Sequence, residues 1–341
     1  MSLLYSILKP IVRKVVKGSS LHQEESYEEF KQASYNVQKK FKFALPRIRG
    51  FEFRDERLDG FHIIVGKETG TEPDKAVVYF PGGGSRRWQL PYKSSIKNYI
   101  QETKAELWIP LYPLLPDHDL MEETEFTIRV HEKMMEKFRP GNIVWLGFSG
   151  GADVLFQAGR HMVQKYPDLP MPGMMIPVSC SGLLTSDEAK ERMKEIDPRD
   201  PLLHWNMFET MVKYYNPNGD LPQYILGKAD EDDYTGFPKV IMYFAGDEVF
   251  GVAVEIAAGL HITEAFQGFR AFPTLPCSPF DALLMLSQNL PRISQRTTES
   301  PKTRTFTVLF AVSRKSVRRI TDNAHFNTVN ASSVEEAFFL R

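Results

Sequence analysis

Ser149 sits in "NIVWLGFSGGADVLF", Asn142 to Phe156, where Gly147-Phe148-Ser149-Gly150-Gly151 has the spacing G-x-S-x-G. The spacing has a steric reason. A serine on a very tight strand-to-helix turn has a strained backbone, so the residues two away must be small. Such a turn lifts Oγ above the sheet edge, and the helix that follows brings the Gly150 N–H beside a reacting carbonyl. The motif alone is weak, because glycine-rich turns are common. Here an apolar run precedes it and an apolar helical stretch follows it, the context that gives it weight. A glycine-rich strand-to-helix turn also suits an anion, but no Walker lysine follows and G-x-G-x-x-G spacing is absent. A second stretch, "VVYFPGGGSRRW" (77 to 88), carries three consecutive glycines, Gly82 to Gly84, directly after an apolar run. Such a run frees backbone N–H groups to point at one spot, which a tetrahedral oxyanion requires; a flexible loop is the plainer reading.

These residues need a sheet to hold them. The chain repeats one theme: a short apolar run, a turn, then a helical stretch. The runs are "KAVVYF" (75 to 80), "AELWIP" (105 to 110), "NIVWLGF" (142 to 148), "MMIPVSC" (174 to 180) and "KVIMYFAG" (239 to 246). Their near-continuous hydrophobicity is that of buried parallel strands. Helical stretches such as "MEETEFTIRVHEKMMEKF" (121 to 138) and "ADVLFQAGRHMVQKY" (152 to 166) lie between them. The alternation predicts an α/β fold with a mostly parallel, doubly wound sheet. "FEFRDERLDGFHIIVGKE" alternates as antiparallel edge strands do. Residues 1 to about 45 read as helical, with Ser26 as an N-cap and Glu29 three residues on. The interval 181 to 238 is too long for one crossover and holds polar helical pieces. Three parts are expected: an N-terminal helical cap segment (1–45), a main domain (46–287) with a cap insert at about 183–236, and a divergent basic C-terminal segment (288–341), poorly ordered. Between Pro291 and Ile320 that last segment has eight basic residues and one acid. A basic tail can bind nucleic acid or membrane; a loosely attached end is the plainer reading.

The composition, 42% hydrophobic and 25% charged with a net charge of -1, is that of an ordinary globular chain. It gives no electrostatic case for nucleic acid as a partner. Cys180 and Cys277 lie far apart without metal-ligand spacing, so no metal or cofactor is expected, and a reducing cytoplasm is the default location. No apolar run reaches the length of a membrane span. In "MSLLYSILKPIVRKVVKG" Leu4, Ile7, Leu8, Ile11, Val15 and Val16 recur at helical spacing among Lys9, Arg13, Lys14 and Lys17. This basic amphipathic helix reads either as a lid packed on the protein or as a weak membrane-surface contact.

Three motifs in order give a resemblance. The chain resembles the α/β-hydrolases of the hormone-sensitive-lipase-like carboxylesterase group over about residues 50 to 250. That family carries H-G-G-G after an early strand, where this chain has Pro81-Gly82-Gly83-Gly84. It then carries Y-R-L-A-P-E-H, where this chain has "YPLLPDH", Tyr112 to His118, and the elbow G-D-S-A-G-G, where this chain has Gly147 to Gly151. Pro81 replaces a histidine that helps to fix the loop, and Phe148 replaces an acid; neither group does the chemistry. The resemblance implies Ser149 as nucleophile and Gly83, Gly84 and Gly150 as oxyanion donors. It also implies that the turn after "KVIMYFAG" supplies the orienting acid, Asp247, with Glu248 as the alternative. The implied activity is a serine carboxylesterase or lipase-like hydrolase cleaving small to medium acyl esters. Trp88, Trp205, Phe208 and Tyr214 would then suit an apolar acyl pocket, or simply pack.

The base is harder to place. Chain order in this fold is serine, acid, histidine. Six of the eight histidines precede Asp247, namely His22, His62, His118, His131, His161 and His204. That leaves His325 in "NAHFN" and His261 in "GLHITEAF". The segment "GFRAFPTLP" has Arg270 where the family's histidine is expected, and arginine, always charged, cannot act as a general base. His325 is the preferred base. The alternative is a catalytically impaired hydrolase fold that serves as a binding scaffold.

Overall fold

The computed structural model describes residues 26–180, 187–200, 203–226, 234–245, 248–252 and 270–272. Asp247, His261, His325, the basic N-terminal helix and the C-terminal basic segment lie outside the described residues.

The first described helix, α1 (Tyr27–Gln38), starts on Ser26, whose hydroxyl accepts from Glu29 N at 3.2 Å while the Glu29 carboxylate accepts from Ser26 N at 3.1 Å. This reciprocal pair satisfies two of the helix's orphan donors. The helix does not run on to residue 45 as the sequence suggests. It ends at Gln38, and residues 41–48 are irregular. The cause is a change of period: in "KFKFA" basic and apolar residues alternate, which does not make a helical stripe. The two rings go to separate partners, Phe41 edge-on to Trp88 at 4.9 Å and Phe43 stacked on His62 at 3.6 Å.

Strands β1 (Phe51–Leu58) and β2 (Phe61–Glu68) pair as an antiparallel hairpin. Its turn is Asp59-Gly60, both with positive φ (52° and 85°), the backbone that a two-residue hairpin loop favours. There follow β3 (Ala76–Phe80), α2 (Lys93–Thr103), β4 (Glu106–Pro110), α3 (Leu120–Met135), β5 (Ile143–Phe148), α4 (Gly150–Lys165) and β6 (Met174–Val178). Next come α5 (Asp187–Ile196), α6 (Met207–Tyr215) and α7 (Gln223–Leu226), then β7 (Lys239–Val240), β8 (Tyr243–Ala245) and β9 (Arg270–Phe272). The strands lie in the order β1-β2-β4-β3-β5-β6-β8-β9, with β7 pairing on β6. β2 meets β4 antiparallel, and from β4 onward the pairing is parallel.

Every residue of β3, β4 and β6 is buried, as expected of parallel strands covered on both faces. Alternation sends Val78, Phe80 and Trp145 to one face, packed with Phe126 of α3 and Leu155 of α4. It sends Val77, Tyr79 and Leu146 to the other, packed with Ile96 and Ile100 of α2. A third core joins Phe30 of α1 to Met193 of α5, Met211 and Tyr214 of α6, and Ile225 of α7. The N-terminal helix and the mid-chain insert thus bury their apolar faces against each other.

Candidate active site

Ser149 lies between the last residue of β5 and the first of α4, with φ 53° and ψ -126°. A residue with a Cβ rarely adopts this conformation, which costs on the order of 1–3 kcal/mol and persists only where the surroundings enforce it. The enforcement is visible. Ser149 N donates to Val178 O at 2.8 Å, and Ser149 O accepts from Ala152 N at 2.7 Å. A Cβ on Gly151 would lie 2.2 Å from Phe80 O, and one on Gly147 would lie 2.3 Å from Gly151 O. The glycines at either side are therefore obligatory, which is the steric logic of the motif. Ser149 is half-buried, and its side chain makes no capping bond to the helix it starts.

The glycine-rich loop passes directly over this turn. A Cβ on Gly82 would sit 3.2 Å from Ser149 Cβ, and one on Gly150 would sit 2.8 Å from Gly84 N. Gly83 and Gly84 have φ of 131° and 60°, which side-chain-bearing residues seldom adopt. The structure thus brings Gly82 against Ser149 and Gly84 against Gly150, with Gly83 between them in the loop. A hydroxyl on a strained turn can attack a carbonyl, and amide N–H groups clustered beside it can hold the negative charge that develops on the carbonyl oxygen.

The loop is fixed from three sides. Tyr215 of α6 donates its hydroxyl to Gly84 O at 2.6 Å. Gln38 of α1 donates to Arg86 O at 3.0 Å and to Leu115 O at 2.7 Å. Ser85 Oγ donates to Glu123 of α3 at 3.1 Å. Glu123 is 1% exposed. Burial, reinforced by the nearby Asp153, pushes its carboxyl well above the ordinary carboxylate range, and the bond from Ser85 only partly opposes this. Sequence reading passed over Glu123, Tyr215 and Gln38. For Glu123 a signal existed: it lies at i+3 from Leu120, on the stripe that Thr127 (i+7) and Met134 (i+14) continue, all buried.

On the acid side, the turn after β8 is anchored by Asp200, 2% exposed, whose carboxylate accepts from Val249 N at 2.9 Å. Glu248 accepts from Ser179 Oγ at 3.0 Å. Asp247 itself lies outside the described residues. Arg270 opens β9 and pairs with Tyr243, the first residue of β8. Tyr243 pairs in turn with Val178, and Val178 with Phe148, so Arg270 stands level in the sheet with the residue that precedes Ser149.

The five described histidines all have partners elsewhere. His62 pairs with Asp55 at 2.8 Å, His118 with Glu122 at 3.3 Å and His204 with Asp197 at 3.3 Å. His161 contacts Glu125 at 2.7 Å and Tyr224 at 3.0 Å. His131 accepts from Trp145 Nε1 at Nδ1, which leaves Nε2–H to donate to Pro170 O; burial lowers its pKa to about 4. Two of the aromatics considered for an acyl pocket are packing residues: Trp88 donates to Tyr112 O at 2.8 Å, and Tyr214 stacks on Phe30 at 5.0 Å. No group of three metal-ligating side chains forms among the described residues.

No family model matches the chain, and no curated protein matches it by sequence. Solved structures do match by shape. The esterase EstE5 superposes with a TM-score of 0.63 at 17% identity, covering 86% of this chain and 99% of that one. A hormone-sensitive lipase from a metagenome library gives 0.62 at 18%, covering 86% and 98%. An esterase of the bacterial hormone-sensitive lipase family gives 0.60 at 15%, covering 86% and 97%. With the mixed sheet, its strand order and the strained turn at Ser149, these likenesses establish that the chain has the α/β-hydrolase fold.

Proposed function

We propose that the protein is a serine carboxylic ester hydrolase for small to medium acyl esters. The observation that carries the reading is the backbone of Ser149, strained on a glycine-flanked turn and pressed against the Gly82–Gly84 loop. In this reading Ser149 Oγ attacks the ester carbonyl while a histidine, His325 or else His261, takes its proton. The N–H groups of Gly83, Gly84 and Gly150 hold the oxyanion. The C–O bond to the alcohol breaks as the imidazolium returns the proton to it. Water, deprotonated by the same imidazole, then cleaves the acyl-enzyme to the acid and free Ser149. Asp247 orients the imidazole. The reading needs no cofactor. No described helix is long and apolar enough to cross a membrane, and a cytoplasmic location rests on cysteine usage alone.

A second reading, a binding scaffold without turnover, is favoured by one observation: each described histidine is engaged by partners other than Ser149. Burst-phase kinetics with p-nitrophenyl acetate and butyrate separates the two, on wild type and on Ser149→Ala, His325→Ala and His261→Ala. Turnover lost in Ser149→Ala and in one histidine variant supports the esterase and names its base. A folded wild type with the same trace as Ser149→Ala supports the scaffold. EstE5 crystals have been soaked with p-nitrophenyl butyrate, which makes that ester a natural first substrate.

A further inference from the structure

Away from Ser149, a groove of about 1270 Å³ lies where the irregular segment after α1 crosses β1, β2, β4 and the start of α2. Its floor is apolar, formed by Leu45, Ile48, Ile64, Ile96 and Ile109, and its lining includes three cations, Arg47, Arg49 and Lys93, and no acid. The charge extends beyond the groove. From Lys39 to Arg49 the chain carries Lys39, Lys40, Lys42, Arg47 and Arg49 without one acidic residue. Lys93 and Lys97 add to these from α2, and all seven are exposed. Helix α2 also begins here with no acid in its first turn, so its N-terminal dipole adds to the positive field. Tyr92, just before α2, is 82% exposed.

A chain of net charge -1 that lines an apolar trough with three cations and no acid, and carries four more exposed lysines in the same two segments, has made a local surface unlike its average. One small anion would use the cations and leave the apolar floor unfilled. A phosphate backbone would find its charge matched but would leave the apolar floor unfilled. A bilayer with anionic headgroups fits both features, since basic side chains meet the headgroups while apolar and aromatic ones enter the acyl boundary. We infer that this face docks on an anionic lipid surface, with Arg47, Arg49 and Lys93 at the headgroups and the exposed Tyr92 ring, beside the half-buried Leu45 and Ile48, toward the acyl chains. The groove uses none of the basic residues of the segment 1–17 and does not depend on the esterase reading.

The test is sedimentation of the full chain with phosphatidylcholine vesicles containing one-third phosphatidylserine, and with pure phosphatidylcholine. It is run for wild type and for the triple variant Arg47→Gln/Arg49→Gln/Lys93→Gln. Binding should require phosphatidylserine, weaken with salt, and fall about a hundredfold in the triple variant, roughly fivefold per cation. Unchanged thermal melting checks that the variant is folded. Three results would each overturn the inference: no sedimentation of wild type with the anionic vesicles, equal binding to pure phosphatidylcholine, or a triple variant that binds like wild type. The last would move the contact to residues 1–17. A fourth is capture of free oleate through the same three cations without vesicle binding, which would make the groove a site for a single amphiphile.

Discussion

Glu123→Gln tests how the glycine-rich loop is held. Glu123 is fully enclosed, its side-chain partner is the neutral Ser85 hydroxyl, and burial holds its carboxyl protonated well above the usual range. In the unfolded chain the same group ionises near pH 4.3. Above that pH, and below the raised folded value, the native state keeps a proton that the unfolded state has released. Stability then falls as pH rises, by about 1.4 kcal/mol per unit. Glutamine keeps the shape and the acceptor but removes the titration. The free-energy advantage of Glu123→Gln over wild type should therefore grow with pH at up to about 1.4 kcal/mol per unit once pH exceeds about 4.3. The wild-type profile alone hides this. His131, with its pKa lowered to about 4, is neutral when folded but protonates near pH 6.5 when unfolded. It contributes a slope of the same size and opposite sign between those values. The difference between variant and wild type cancels it. Urea unfolding from pH 4.5 to 8 gives both curves. Parallel curves would refute a neutral Glu123, and so would a variant advantage that shrinks as pH rises.

Gly151→Ala places a methyl 2.2 Å from the Phe80 carbonyl oxygen, with backbone on both sides. It should cost at least about 2 kcal/mol in urea unfolding and abolish ester turnover; a variant with wild-type stability would mean the elbow is looser than described. Tyr215→Phe removes the bond to Gly84 O and should lower kcat on p-nitrophenyl butyrate by about threefold to tenfold with KM little changed, the worth of one neutral hydrogen bond. A raised KM with kcat unchanged would place Tyr215 in substrate binding instead. Arg54→Met leaves Glu106, whose side chain is wholly buried, with Lys137 and Trp108 as donors. It should cost about 3 kcal/mol in urea, more than Lys137→Met, which keeps both contacts from Arg54.

The parts of the site that sterics dictate were legible in the residues. Nothing larger than glycine fits at 147 or 151, so the elbow is spelled out in the sequence. The sheet was legible for a similar reason, because β3 to β6 are buried on both faces and are apolar almost throughout, Glu106 with its ion partners being the exception. The helical cap segment was drawn too long because basic and apolar residues in "KFKFALPRIR" supply enough hydrophobicity for a helix while having the wrong period. The support of the glycine loop was hidden because its members, Gln38, Glu123 and Tyr215, come from three distant segments.

That support follows from the glycines themselves. A run of three has no side chain with which to anchor its own conformation and loses the most entropy on ordering. Whatever fixes it must act on its backbone or on the residues that flank it. The observed contacts fall on those handles: the Gly84 carbonyl, the Ser85 hydroxyl and the Arg86 carbonyl. They come from the insert, from α3 and from the N-terminal helix, and the first and last of these share a core with each other. The helices of the cap are thus bonded to the backbone beside the proposed oxyanion amides. The position of those amides is set before any ester arrives, which is the condition under which backbone dipoles lower a barrier without reorganising.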